Sequence, residues 1–241
     1  MHEEPGLFDH LPLPGAMAAV VPYSFVVLVA LALVAYLGTK RSQRIPSTLQ
    51  NLLELVVDSL TGLTTSILGP SGAKLTPLVG TFFLYILGQN LLGAVPGMKS
   101  PTANLNTTVS LALVAIVVVH ILAIQVHGVG GWLKHFAGEP AFLAPLMFPL
   151  HVIGELARPL SLSLRLFGNI FGEDSVVAIL GAMSPFLFKL AGGYGLAVPL
   201  QLPMLLFAMF GGLIQALVFT MLFCIYISVT VGDLDGHSHA H

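Results

Sequence analysis

Residues 155–174 read ELARPLSLSLRLFGNIFGED, and they bring two arginines and three carboxylates into a chain that is only 8% charged. The apolar residues between them are mostly Leu, Ile and Phe, the composition of a membrane span. A central arginine in such a span costs several kcal/mol unless water or a partner group meets it. Placed on a helix at about 100° per residue, the polar groups line up. With Arg165 at zero, Arg158 falls at roughly +20°, His151 and Asn169 at roughly +40°, Ser161 at roughly −40°, and Glu155 and Glu173 at roughly +80°. Asp174 falls on the opposite side, at roughly 180°. One polar stripe with a cation at its middle points to an ion route, or to a face that meets an ionised partner.

The rest of the chain sets the same frame. Its 241 residues are 56% hydrophobic, with a mean hydropathy of +0.92. A soluble domain carries roughly 25% charged residues, so this composition is that of an integral membrane protein. The length suits about five spans of roughly 20 residues. The fold class expected is all-α, because in lipid a helix satisfies its own backbone. A net charge of −2 offers no basic patch and excludes nucleic acid as a partner. The one cysteine, Cys224, rules out a disulfide within the chain and reads as a small buried hydrophobe. The opening MHEEPGLFDH is acidic, unlike a signal or transit peptide, so the first apolar run is expected to stay.

In order, the spacing predicts a span at 16–38, closed by Lys40, Arg41 and Arg44 on the cytoplasmic side. An amphipathic surface helix follows at 46–69, with Leu49, Leu52, Leu53, Val56, Leu60 and Leu63 on one face and Gln50, Glu54, Asp58 and Thr61 on another. Spans are expected at 75–95 and 105–127, the second broken by the glycines at 128–131, with Trp132, Lys134, His135 and Glu139 in an interfacial connection. The segment 146–184 is about twice a hydrocarbon thickness, so it is either strongly tilted or broken near Pro159. A loop with Pro185, Lys189 and three glycines leads to a last span at 200–231 and a polar tail at 232–241. Lys40, Arg41, Arg44, Lys74 and Lys134 then fall inside and Lys99 and Lys189 outside. This is the direction of the positive-inside rule, with the N-terminus out and the C-terminus in. No internal repeat is visible, so the inverted repeats of many secondary transporters are not supported.

Several side chains could carry chemistry. Guanidinium stays protonated, so Arg165 can hold a carboxylate ionised without passing a proton on. The competing reading is an ion pair within the helix, but Glu173 lies eight residues away, roughly 12 Å along the axis. Arg158 and Glu155, at i and i+3, invite a local pair. His151, one turn before Glu155, can exchange protons near neutral pH, or it can lie at the membrane interface. Glu173 and Asp174 are adjacent acids that resist ionising together in an apolar setting, which suits a proton relay. Gln215 puts an amide in mid-span, where it needs partners. The histidines at 237, 239 and 241 read as a polar tail rather than a metal site. There is no phosphate loop or zinc signature and no cofactor is expected.

ARPLSLSLRLFGN, at 157–169, closely resembles the signature of subunit a of F-type ATP synthases, the membrane stator beside the rotating c-ring. GQNLLGAVPG at 88–97, TANLNTTVSLAL at 102–113 and LIQALVFTMLFCIYIS at 213–228 agree in the same order. The resemblance implies a proton-translocating subunit without a catalytic site of its own, in a bacterial plasma membrane. The implied partners are the c-ring, peripheral-stalk b subunits, the other synthase subunits and lipid. It implies that Arg165 partners the c-ring carboxylate and keeps two half-channels apart. Asp174 takes the place of the family's relay acid, nine residues after the arginine, with Glu173 extra beside it. Gln215 is implied near the arginine, and Glu155, His151 and Arg158 toward the inner path. The family often has a titratable group where this chain has Ala208, and an aspartate where it has Asn104. The outer path is then left to Asp174, Glu173, Asn104 and Asn106. Two other classes compete: a self-contained permease whose Arg165 binds an anion, and a structural anchor that tolerates loss of Arg165.

Overall fold

A computed structural model describes residues 20–40, 48–95, 98–137, 144–190 and 201–231. The segment 1–15, Arg41 and Arg44, Glu139, the glycines at 192–195 and the tail 232–241 lie outside these described residues. Among the described residues the structure is all-α, with no strand. Its helices are α1 (Val21–Thr39), α2 (Thr48–Leu68), α3 (Thr76–Leu92), α4 (Leu105–Ala137), α5 (Ala144–Leu190) and α6 (Gln201–Val231), with short 3-10 turns at Pro70–Leu75 and Pro101–Ala103.

Among the described residues, four stretches are long and apolar enough to cross a membrane: Val21–Gly38, Gly72–Leu92, Leu105–Trp132 and Pro203–Val231. Helix α5 is longer than any of them and carries the arginines and carboxylates of 155–174. Large apolar side chains such as Phe25, Leu33, Val114, Leu156 and Leu206 stand exposed along the helices. Lipid tails, not water, are the solvent these surfaces suit.

The core lies between α3, α4, α5 and α6. Leu162, Leu166 and Ile170 recur every fourth residue of α5 and are buried. Buried Ala112, Ala115, Val119 and Ala123 give α4 a narrow face that lets it pack closely with α5. Phe82 of α3 packs on Phe219 and Phe223 of α6, with ring centroids 6.3 Å and 4.8 Å apart. Leu60, Thr64 and Leu68 of α2 are buried, and α2 packs against α3 and α6. Leu52 and Leu55 of α2 are exposed, as is Glu54. Helix α1 lies at the periphery, its Tyr23 and Val27 buried.

Two local features depart from simple span reading. Helix α4 runs past the glycines, but Gly128 breaks its geometry with φ 69° and ψ 168°. Only glycine reaches that region at low cost. The break turns the following segment back: Trp132 and His120 are twelve residues apart, roughly 18 Å on a straight helix, yet their ring centroids lie 5.9 Å apart. Helix α5, by contrast, is continuous for 47 residues. It is not interrupted at Pro159, and Pro185 and Lys189 belong to it rather than to a loop. Proline costs about 3 kcal/mol inside a helix in water. Inside lipid a full break costs more, because the freed backbone groups have no water to bond.

Candidate functional site

Helix α5 carries a polar cluster toward each end and an isolated cation between them. The first cluster joins three helices. Arg158 Nη1 donates to Glu155 Oε1 at 2.6 Å and to Thr230 Oγ1 of α6 at 3.3 Å. Its guanidinium also lies over the Tyr226 ring, 5.3 Å from the centroid. On the other side of Glu155, Oε2 is 3.6 Å from His120 Nε2 of α4. Trp132 Nε1 donates to His120 Nδ1 at 3.4 Å. That contact turns Nδ1 toward Trp132 and Nε2 toward Glu155. His127 Nε2 is 2.7 Å from the Val231 carbonyl and ties the break in α4 to the end of α6. His151 is half-buried one turn before Glu155.

Arg165 is seven residues beyond Arg158. It is exposed, and among the described residues no hydrogen bond or ion pair engages it. The buried Leu162, Leu166 and Ile170 face the core and leave Arg165 to the outer side of the bundle. Ser161 and Asn169, one turn to either side, are exposed with it. At Gly154, Gly168 and Gly172 an added Cβ would meet nothing within 4 Å. The arginine thus sits on a smooth face of small residues that no part of the described chain covers.

The second cluster is turned inward. Glu173 is buried and reaches α6 at Gly211, where its carboxylate occupies the space of the missing side chain. Asp174 is half-buried and points elsewhere, toward the end of α3. There its Oδ1 would lie 3.5 Å from a Cβ added at Gly93. The neighbouring polar network spans α3, the Pro101–Ala103 turn and α6. Asn90 Nδ2 donates to the Gly212 carbonyl at 2.9 Å, and Thr102 Oγ1 donates to Asn90 Oδ1 at 2.7 Å. The Ser100 and Thr102 hydroxyls are 2.8 Å apart. Gln215 of α6 is buried with its Nε2 unpartnered, and Gln89 of α3 is fully buried with both amide atoms unpartnered. A buried amide left unpaired costs about 1–3 kcal/mol, so these positions call for polar company.

The sequence-predicted residues therefore fall into three places. Glu155 and Arg158 are in direct contact, with His151 one turn away. Arg165 and Asn169 share the open face. Glu173, Asp174 and Gln215 are partly or fully buried. Asn104 does something local: its Oδ1 accepts from the Asn106 amide at 2.9 Å, the cap that starts α4. Sequence reasoning gave no role to His120, Asn90 and Thr102, and set Trp132 only in an interfacial connection. His120 did leave a signal, a single imidazole in the apolar run 111–124. Asn90 and Thr102 both lie in stretches whose pattern already stood out.

The family model described as ATP synthase A chain matches residues 21–228. ATP synthase subunit a of Citrifermentans bemidjiense is 42% identical over 235 residues, covering 98% of this chain and 94% of that one. Subunit a of Protochlamydia amoebophila is 42% identical over 214 residues, 86% of this chain and 79% of the relative. Subunit a of Geobacter sulfurreducens is 40% identical over 221 residues, covering 92% and 91%.

Proposed function

The chain belongs to the ATP synthase A chain family, and from that premise we propose that it is the proton-translocating stator subunit of an F-type ATP synthase. In this reading two half-channels lead to a carboxylate on a neighbouring c-ring, and Arg165 stands between them. Protons enter from the outer side near Asp174 and Glu173. They leave toward the cytoplasm near Glu155 and His151. The observation that carries the reading is the setting of Arg165. An exposed guanidinium in an apolar span, met by no acid among the described residues, on a face of small side chains, suits an ionisable group brought by a partner. The partner that fits is a close-packed ring of helices bearing carboxylates. Arg158 supports the contrast, since its charge is already matched by Glu155.

The remaining parts follow. Peripheral-stalk b subunits and the other synthase subunits would complete the assembly, and ATP chemistry would reside on those others. The protein would sit in a bacterial plasma membrane, N-terminus outside and C-terminus in the cytoplasm, as the lysines and arginines of its connections indicate. Gln215 and Gln89 would supply hydrogen-bonding positions near the outer path, and Asn104 would shape the entry to α4 beside it.

The test is reconstitution. Liposomes holding this chain alone should show no proton uptake under an imposed potential, whereas the complete complex should pump on addition of ATP. Sustained transport by the chain alone would favour a self-contained permease and sink the stator reading.

A further inference from the structure

Gly211 and Gly212 lie in mid-helix, where each glycine costs about 1 kcal/mol relative to alanine. Both meet polar groups of other helices. At Gly212 an added Cβ would be 3.1 Å from Asn90 Cβ, and its carbonyl takes the Asn90 amide. At Gly211 an added Cβ would overlap Glu173 Oε1, and would stand 3.0 Å from Cδ and 3.3 Å from Oε2. All three heavy atoms nearest to that absent side chain belong to one carboxylate, and none belongs to the backbone of α5. The glycine therefore does not serve close approach of the two helices. It makes room for an acid.

We propose that Gly211 is a positioning residue for Glu173: its bare backbone is the seat that draws the α5 carboxylate onto α6, one turn from Gln215. The seat turns Glu173 away from Asp174, which points toward Gly93. Two acids adjacent in sequence are thereby assigned to two different places, Glu173 to the α5–α6 interface and Asp174 to the turn that follows α3. The buried, unpartnered Nε2 of Gln215, four residues further along the same helix, provides the next polar position on the α6 side. This inference rests on the reading of the chain as a proton-translocating subunit only for its consequence. The seat itself is a matter of geometry.

The experiment separates the two. In the complete complex, Gly211→Ala should lower ATP-driven proton pumping per assembled complex to the level of Glu173→Gln, a loss of about tenfold. Gly211→Ala combined with Glu173→Gln should be no worse than Glu173→Gln alone. Glu173→Asp, one methylene shorter, should restore much of the pumping to Gly211→Ala. A second readout is independent of transport. In a Cys224→Ala background, Glu173→Cys with Gly211→Cys should be joined by a short bifunctional methanethiosulfonate, whose span takes the place of the missing carboxylate arm, and Asp174→Cys with Gly211→Cys should not. Equal loss from Gly211→Ala with and without Glu173, or failure of the first cysteine pair to crosslink, would overturn the seat. A crosslink that forms while Glu173→Gln and Asp174→Asn both pump like the parent would leave the seat standing and refute the proton path instead.

Discussion

Arg158 Nη1 lies 2.6 Å from Glu155 Oε1, three residues away on the same helix. Two turns further along, Arg165 has no such acid among the described residues. One helix thus holds a matched arginine and an unmatched one, and the two should fail differently when replaced. Arg158 also reaches Thr230 and Tyr226, so it fastens α5 to α6.

Arg158→Gln should leave Glu155 without its nearest cation and lower stability by on the order of 2 kcal/mol, the worth of a hydrogen bond to a charged group. Glu155→Gln combined with Arg158→Gln should recover part of that loss, because no lone charge remains. The yield of assembled complex and its thermal stability in detergent check this. A double variant less stable than Arg158→Gln would deny the pair its bridging role.

Glu173 and Asp174 diverge, so neither should replace the other fully. Each single change, Glu173→Gln or Asp174→Asn, should slow proton pumping by about tenfold, short of the ~10²–10⁴ that a positioned proton-transfer group is worth. The remaining acid accounts for the shortfall. The double variant should stop pumping. Pumping in membrane vesicles measures all three, and a double variant that matches the parent would show that the outer path avoids both acids.

The fold-back after Gly128 is open to a spectroscopic check, since Trp132 is the only tryptophan. Alanine at 128 must hold a positive φ with an extended ψ, at a cost of roughly 1–3 kcal/mol. Gly128→Ala should therefore release Trp132 from His120 and change its emission in the purified subunit. An unchanged spectrum would mean that the turn does not depend on the glycine.

How much of this could be read in advance depended on how far apart the contacting residues are. The Glu155–Arg158 pair follows from i, i+3 spacing, and the buried Leu162, Leu166 and Ile170 follow from period four. The seat of Glu173 on Gly211 joins positions 38 apart on two helices, and no local pattern encodes it. His120 meets Glu155 across α4 and α5, and its contact with Trp132 exists only because Gly128 turns the chain back. Continuity of α5 through Pro159 was open in the sequence because proline's cost depends on the solvent, and lipid reverses the balance that water sets. Asn104 was placed in the path by likeness, while its side chain caps α4, a role that its position just before an apolar run could have indicated.

Arg165 gives the sharpest test. A carboxylate entering low dielectric without a counter-charge favours its protonated form. Beside a guanidinium its ionised form becomes accessible, so a ring carboxylate arriving at Arg165 should lose its proton to one half-channel. On leaving, it should take one from the other. Lysine would keep the charge but lose the planar fork and its resistance to deprotonation. Arg165→Lys should then assemble, because the residue is exposed and holds nothing among the described residues, yet neither pump protons nor make ATP. Arg165→Ala should lose both activities and also leak, since nothing would keep the two half-channels apart. Proton uptake into liposomes under an imposed potential, with the complete complex and each variant, measures the leak directly. Near-normal ATP synthesis by Arg165→Ala would strip the residue of its gate role and return the open face of α5 to an ordinary lipid-facing surface.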